Sequence, residues 1–471
     1  MKQLIRNLLF VSVAFMVVFA FLVAGIVLQQ NRSRENLTGH GGENKLALAD
    51  QYARAGQILD RHGLVLASSQ GGERTYASDP LLASSLVQTI GDYSHNIANT
   101  IEERYQAELT GSNRGLFKQF MLDLQGQGFR GADLRLTLDG DICRKSAELL
   151  QAYTASLVLL NYQSGEILAL VNTPLVAPEN VIRWENISEG SLFNKALLGQ
   201  YTPGSTFKLI TDAAWLTSDQ FQADYQLMCK GREPLLGPGS VLENRQDAGH
   251  GLLDRRQALA SSCNHYFGQL AVNIGSQQLL RTAENFAFNG DWNLGKLSVQ
   301  PSRLVISPQL DDFTLSWLAI GQPLEGQELT VTPLHLAMIS GAIAQGGQMM
   351  EPHLLAAVVN PGLSSEEILE PRVAYQVGSA GSMAILAQDM IYSVQHGMAQ
   401  AAQIGGQIVG GKTGTAEHLG GEGKNQTNSL FTGFLQNPDH PLAIALVVED
   451  QWVDVSSLAG QVLAYALDKP E

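Results

Sequence analysis

The chain has 471 residues, room for two or three domains with a sizeable core. Hydrophobic residues make up 45% and charged residues 16%, which excludes an intrinsically disordered chain. A formal net charge of −15 leaves no basic surplus for phosphates, so nucleic acid is excluded as a partner, and three cysteines are too few for a disulfide scaffold.

From the amino terminus, residues 1–7 read as a short tail. Leu8 to Leu28 (LLFVSVAFMVVFAFLVAGIVL) is uncharged, with Ser12 its one polar residue. Spanning a bilayer as a helix takes roughly 20 residues, whereas a signal-peptide core runs to about 7–15 and wants a small-x-small cleavage site. The segment therefore predicts one uncleaved transmembrane anchor over 8–28. Lys2 and Arg6 precede it and Arg32 and Arg34 follow, so charge asymmetry does not set its orientation. A long downstream domain translocates largely regardless of such charges, which predicts a single pass with the bulk outside the cytoplasm. Residues 29–50 have linker composition; the sequon Asn36-Leu-Thr38 within them matters only in a host that glycosylates secreted chains.

Residues 51–150 predict a first folded region. Gln57 to Asp60 and Leu64 to Leu66 read as strands about a turn ending at Gly63; Leu134, Leu136 and Leu138 alternate as in a strand, and a helix follows through Leu150. Residues 151–471 predict a second, opening on a hairpin of Ser156–Asn161 and Glu166–Val171. Helical patterns follow over Phe207–Trp215, Tyr266–Phe286 and Pro333–Ala344, then strands over Phe431–Phe434 and Leu442–Val448, and a last helix over Ser456–Leu467. Strands at both ends around a helical middle predict an α+β fold whose sheet joins distant parts of the chain. Cys143, Cys229 and Cys263 lack zinc-site spacing and are expected as buried free thiols; a Cys229–Cys263 bridge in an oxidising compartment is the alternative.

Three short motifs carry chemistry. Ser205-Thr-Phe-Lys208 places a hydroxyl and an amine one helical turn apart, and a desolvated lysine with a lowered pKa can deprotonate a serine. Alone, it reads more often as a helix-capping serine beside a solvated lysine. Ser262-Cys-Asn264 offers a hydroxyl that can relay a proton and an amide that can bind a substrate amide, although such residues before a helix more often cap it. Lys412-Thr-Gly-Thr415, if a strand, turns Lys412 and Gly414 to one side and Thr413 and Thr415 to the other. Lysine and hydroxyls suit a carboxylate, and an exposed edge strand can pair with an extended peptide; an ordinary surface turn is the plain alternative.

Together, and in this order, the three motifs resemble the S-x-x-K, S-x-N and K-T-G set of penicilloyl-serine transferases. The flanks are similar to those of class B penicillin-binding proteins: Phe193-Asn-Lys-Ala196 with Pro203-Gly-Ser-Thr-Phe-Lys208, Gly321-Gln322 with Thr332-Pro-Leu334 and Gly346-Gly347, and Lys412-Thr-Gly-Thr-Ala-Glu417. Gly56-Gln-Ile-Leu-Asp-Arg-His-Gly63 resembles their pedestal motif, with Ala55 where an arginine is expected. In its short form the chain is most similar to the penicillin-binding protein A group.

The resemblance implies a penicillin-binding/serine β-lactamase-like transpeptidase domain, with a central antiparallel sheet flanked by helices and an all-helical part, on an elongated α+β pedestal behind one transmembrane helix. It implies a peptidoglycan D,D-transpeptidase of the bacterial cell membrane, its catalytic domain extracytoplasmic, inhibited by β-lactams. Ser205 is then the nucleophile, Lys208 the base and Ser262 the proton shuttle. Asn264, Lys412, Thr413, Gly414 and Thr415 bind the D-Ala-D-Ala end of a stem peptide, and the backbone N–H groups of Ser205 and Thr415 form an oxyanion hole. No metal or organic cofactor is implied. Residues 51–150 carry the pedestal pattern rather than a glycosyltransferase, so a SEDS-type (FtsW/RodA-like) membrane polymerase is the expected partner. A D,D-carboxypeptidase shares all three motifs, as does a serine β-lactamase, against which the anchor and pedestal argue. A slow β-lactam or muropeptide sensor, or a scaffold of the wall machinery, is the reading from another class; only seven residues precede the apolar run, where a sensor carries a signalling region.

Overall fold

The computed structural model describes residues 51–113, 130–231, 249–307, 310–360, 366–368, 370–419 and 425–469, with residues 48 and 49 and positions 3, 6, 7 and 9–20. Residues 9–20 are helical and expose apolar side chains, Phe10, Phe15 and Phe19 among them. Residues 8 and 21–28 of the expected anchor and 29–47 and 50 of the linker lie outside the described residues. Among the described residues no helix is long and apolar enough to cross a membrane.

The larger sheet is antiparallel and five-stranded, in the order Ile408–Leu419, Asn425–Gln436, Leu442–Val448, Ala155–Asn161 and Ile167–Asn172. Its middle strands, LAIALVV and ASLVLLN, read as continuous apolar runs because helices cover both faces, and nearly every residue in them is buried. Pro333–Ala344 and Ala380–His396 pack on it together; Val455–Leu467, with Gly140–Leu150 beside it, covers the other side. Pro333–Ala344 (PLHLAMISGAIA) is apolar all round and buried almost throughout, as a helix between other layers must be. Thr332 starts it by accepting the His335 N–H at 3.2 Å, with Pro333 in the first turn. The sheet thus joins the two ends of the region, as its α+β pattern predicts. Ile408–Leu419 lies at a free edge, and Lys412, Thr413, Gly414 and Thr415 occupy its middle.

The all-helical part contains Lys208–Leu216, Arg255–Ala260, Asn264–Ile274, Ser276–Asn285 and Asp312–Ala319. The helix expected over Tyr266–Phe286 is two helices, divided at Gly275, whose φ of +76° lies in the left-handed region that a helix cannot contain.

A second, six-stranded sheet runs Glu366–Ile368, Leu355–Val359, Asp133–Leu136, Ile58–Leu59, Val65–Gln70 and Glu73–Tyr76. Leu355–Val359 comes from deep in the second region, yet it pairs antiparallel with Asp133–Leu136, Leu355 opposite Leu136 and Val359 opposite Asp133. Asp60 ties this sheet to the next helix: its carboxylate accepts from the N–H groups of His62 (2.9 Å), Leu64 (2.7 Å) and Gly140 (3.1 Å).

Candidate active site

Gly204–Phe207 forms a 3₁₀ turn that runs directly into the Lys208–Leu216 helix. In such a turn residues i and i+3 eclipse, so Ser205 and Lys208 stand side by side, Lys208 Nζ 3.0 Å from Ser205 Oγ. Two glycines press this turn against the edge strand. Gly204 has φ +53°, and a Cβ there would lie 2.4 Å from the Thr415 carbonyl oxygen; Gly321, φ +82°, faces the Gly204 carbonyl so closely that a Cβ would lie 1.9 Å from its oxygen. Gln322 Nε2 donates to the same Thr415 carbonyl at 3.2 Å. The Gly321-Gln322 pair noted in the sequence therefore supports the site from outside it.

Ser262 is not a helix cap. It follows Arg255–Ala260 with φ +54°, and the Ser262 N–H bonds Leu259 O (3.2 Å) while the Cys263 N–H bonds Ala258 O (2.9 Å). That is the Schellman ending, whose left-handed position normally belongs to glycine. A serine there costs about 1–2 kcal/mol of backbone strain. Its hydroxyl lies 3.0 Å from Lys208 Nζ and 3.1 Å from Lys412 Nζ. Lys208 Nζ also donates to Ser262 O (2.7 Å) and Asn264 Oδ1 (2.6 Å), and Lys412 Nζ to Thr413 O (2.8 Å). Ser205, Lys208, Ser262, Asn264 and Lys412 thus form one hydrogen-bonded cluster, with Gly414 beside it: a Cβ on Gly414 would lie 2.9 Å from Pro203 O. Thr413 and Thr415 are partly exposed, on the opposite parity of the strand.

Both lysines are fully buried, 0% exposed. Burial, then the charge of Lys412, holds the Lys208 amine well below the usual lysine range. Burial alone brings Lys412 down to about 7. Four oxygens surround Lys208 Nζ, one more than the protons an ammonium can donate. A neutral amine there can turn its lone pair to the Ser205 hydroxyl.

One supporting cluster was not anticipated. Asp212, one turn after Lys208 on the same helix, is fully buried; Arg255 Nη1 lies 3.4 Å from both its carboxylate oxygens and also bonds Asp389. Burial raises both carboxyl pKa values. The three residues tie together Lys208–Leu216, Arg255–Ala260 and Ala380–His396. The available signal was a lone acid in a short helix that is mostly apolar after Lys208, KLITDAAWL. The three cysteines are buried free thiols, as expected, and no Cys229–Cys263 bridge is present.

Residues 155–467, well over half the chain, match the penicillin binding protein transpeptidase domain. The chain belongs to this family. Its transpeptidase domain and what precedes it are 27% identical, over 96% of both chains, to the peptidoglycan D,D-transpeptidase PbpA of Mycolicibacterium smegmatis. They are 28% identical, again over 96% of both chains, to the protein of the same name in Mycobacterium tuberculosis. The fold superposes on penicillin-binding protein A from M. tuberculosis in its penicillin G acyl-enzyme complex with a TM-score of 0.77, at 26% identity, covering 88% of this chain and all of that one.

Proposed function

We propose that Ser205 is the nucleophile of this peptidoglycan D,D-transpeptidase and that Lys208, Ser262, Asn264 and the Lys412–Thr415 strand complete its machinery. The observation that carries the assignment is the convergence of two buried lysines on one hydroxyl, with Lys208 also 3.0 Å from Ser205 Oγ. Neutral Lys208 takes the Ser205 proton as Oγ attacks the carbonyl between the terminal D-alanines of a stem peptide. The backbone N–H groups of Ser205 and Thr415 receive the developing oxyanion. Ser262 passes the proton from Lys208 to the departing D-alanine amine, leaving an acyl-enzyme. The Lys412 ammonium and the hydroxyls of Thr413 and Thr415 hold the terminal carboxylate, Gly414 lets the peptide backbone approach the edge strand, and Asn264 orients the substrate amide. An amine from a neighbouring stem attacks the acyl carbonyl, Lys208 removes its proton, and Ser205 is released with a cross-link formed. β-Lactams enter the same first half and stop at the acyl-enzyme.

Residues 8–28 anchor this enzyme in the bacterial membrane, supported by their uncharged length and by the exposed apolar helix at 9–20. Residues 51–150 form most of the pedestal, to which 355–368 add two strands, and 151–471 supply the transpeptidase domain. A SEDS-type (FtsW/RodA-like) polymerase supplies the glycan and is contacted through anchor and pedestal; a pull-down that recovers no such polymerase would count against this. Paired donor and acceptor stem peptides test the reaction. Cross-linked dimer is the expected product, whereas D-alanine release without dimer would mark a carboxypeptidase, and neither product a sensor or scaffold.

A further inference from the structure

Beside the cluster just described lie Cys229, His250 and Cys263, whose Sγ, imidazole nitrogen and Sγ all fall within 4.8 Å of one another. They come from three places: the end of the Leu227–Cys229 strand, the residue before its partner strand Gly251–Leu253, and the middle of the Ser262-Cys-Asn264 motif. We propose that these residues bind a thiophilic divalent cation, zinc by its ligand chemistry, and that the ion holds the Ser262–Asn264 turn in place.

The spacing fits. Zinc takes thiolate sulfur at about 2.3 Å and imidazole nitrogen at about 2.0–2.1 Å in a tetrahedron, which sets sulfur and nitrogen ligands roughly 3.6 Å apart. Cys229 Sγ lies 3.5 Å from His250 Nδ1, near that separation, and a solvent molecule would take the fourth vertex. The donor set of two sulfurs and imidazole favours zinc over the oxygen-seeking calcium and magnesium. Both cysteines are buried and His250 is half-buried. Binding moves each thiol proton to solvent, and two thiolates with a neutral imidazole make the loaded centre electroneutral. It therefore adds no positive charge beside Lys208 and Lys412.

The consequence follows from Cys263. Its neighbour Ser262 holds a strained left-handed conformation, and a metal–sulfur bond one residue on would resist relaxation of that turn. The β-hairpin and the helix ending at Ala260 are then fastened together at the motif.

Metal content of the reduced full-length protein in detergent, prepared without chelator, tests the proposal. One equivalent of zinc is expected, and cobalt(II) exchanged for it should give an intense tetrahedral visible spectrum with sulfur-to-metal charge transfer. Cys229→Ser and His250→Gln, each checked for folding by circular dichroism, should lose that spectrum, and chelation should expose Cys229 and Cys263 to thiol reagents. Substoichiometric metal removed by gel filtration, or a Cys229–Cys263 disulfide in the protein as isolated, would overturn it. None of these readouts depends on Ser205 being the nucleophile, so this inference and the catalytic assignment fail separately.

Discussion

Ser262 concentrates the chemistry at the residue scale, because it occupies a backbone position suited to glycine while its hydroxyl serves two lysines. Ser262→Gly separates the two roles. Removing the left-handed strain should hold or raise stability by up to about 1 kcal/mol, while acylation by penicillin should slow by about 10²-fold or more with the proton relay gone. A variant that loses stability and acylates normally would refute the relay. The buried lysines predict a pH signature. As the proposed base, Lys208 acts only when neutral, so the acylation rate constant should rise with pH as its proton is lost. As the proposed carboxylate site, Lys412 acts only when charged; its pKa is lowered to about 7, so affinity for penicillin should weaken as pH rises past that point. Measured separately, the rate should rise with pH well below the usual lysine range, while affinity falls past about 7.

At the scale of elements, the Asp212–Arg255–Asp389 cluster holds three helices together behind Ser205. Arg255→Met takes the ion-pair partner from buried Asp212 and leaves Asp389 with Arg256, 3.7 Å away, and should cost about 3 kcal/mol in chemical denaturation at neutral pH. Without the arginine, both folded-state pKa values rise further above their unfolded values. Stability is then lost as pH rises through those folded pKa values, and the penalty shrinks on acidification toward the unfolded carboxylate range. A penalty independent of pH would show that Arg255 acts through packing alone. Much at this scale was legible in sequence. Ser156–Asn161 and Leu442–Val448 were readable because buried strands are continuous apolar runs, and their observed ends agree to within one residue. The Ala380–His396 helix was missed, since AGSMAILAQDMIYSVQH opens with small residues and carries no basic residue before its final histidine. The Gly275 break was missed because a single glycine within apolar periodicity is ambiguous without its φ.

The whole molecule is joined by the six-stranded sheet, which takes four strands from before residue 150 and two from 355–368. Thr137 adds a second tie: its hydroxyl donates to Ile167 O at 2.7 Å, and its N–H bonds Leu354 O at 2.8 Å. Residues 51–469 should therefore unfold in one calorimetric transition, and two well-separated transitions would contradict this coupling. Pairing across more than two hundred residues leaves no local pattern, which is why Leu355–Val359 could not be placed from sequence. The same limit hid His250 beside Cys229 and Cys263, because the three residues lie on separate segments of the chain. The three motifs escaped it, since each is short, ordered along the chain and flanked by further matching residues.

The central claim is that Ser205 forms the acyl-enzyme under Lys208. Labelling with a fluorescent penicillin, comparing the wild type with Ser205→Ala and Lys208→Ala, tests it most directly. The wild type should label at one site that peptide mapping places on Ser205. Ser205→Ala should not label at all, and Lys208→Ala should label about 10²–10⁴ times more slowly. Equal labelling of wild type and Ser205→Ala would contradict the assignment.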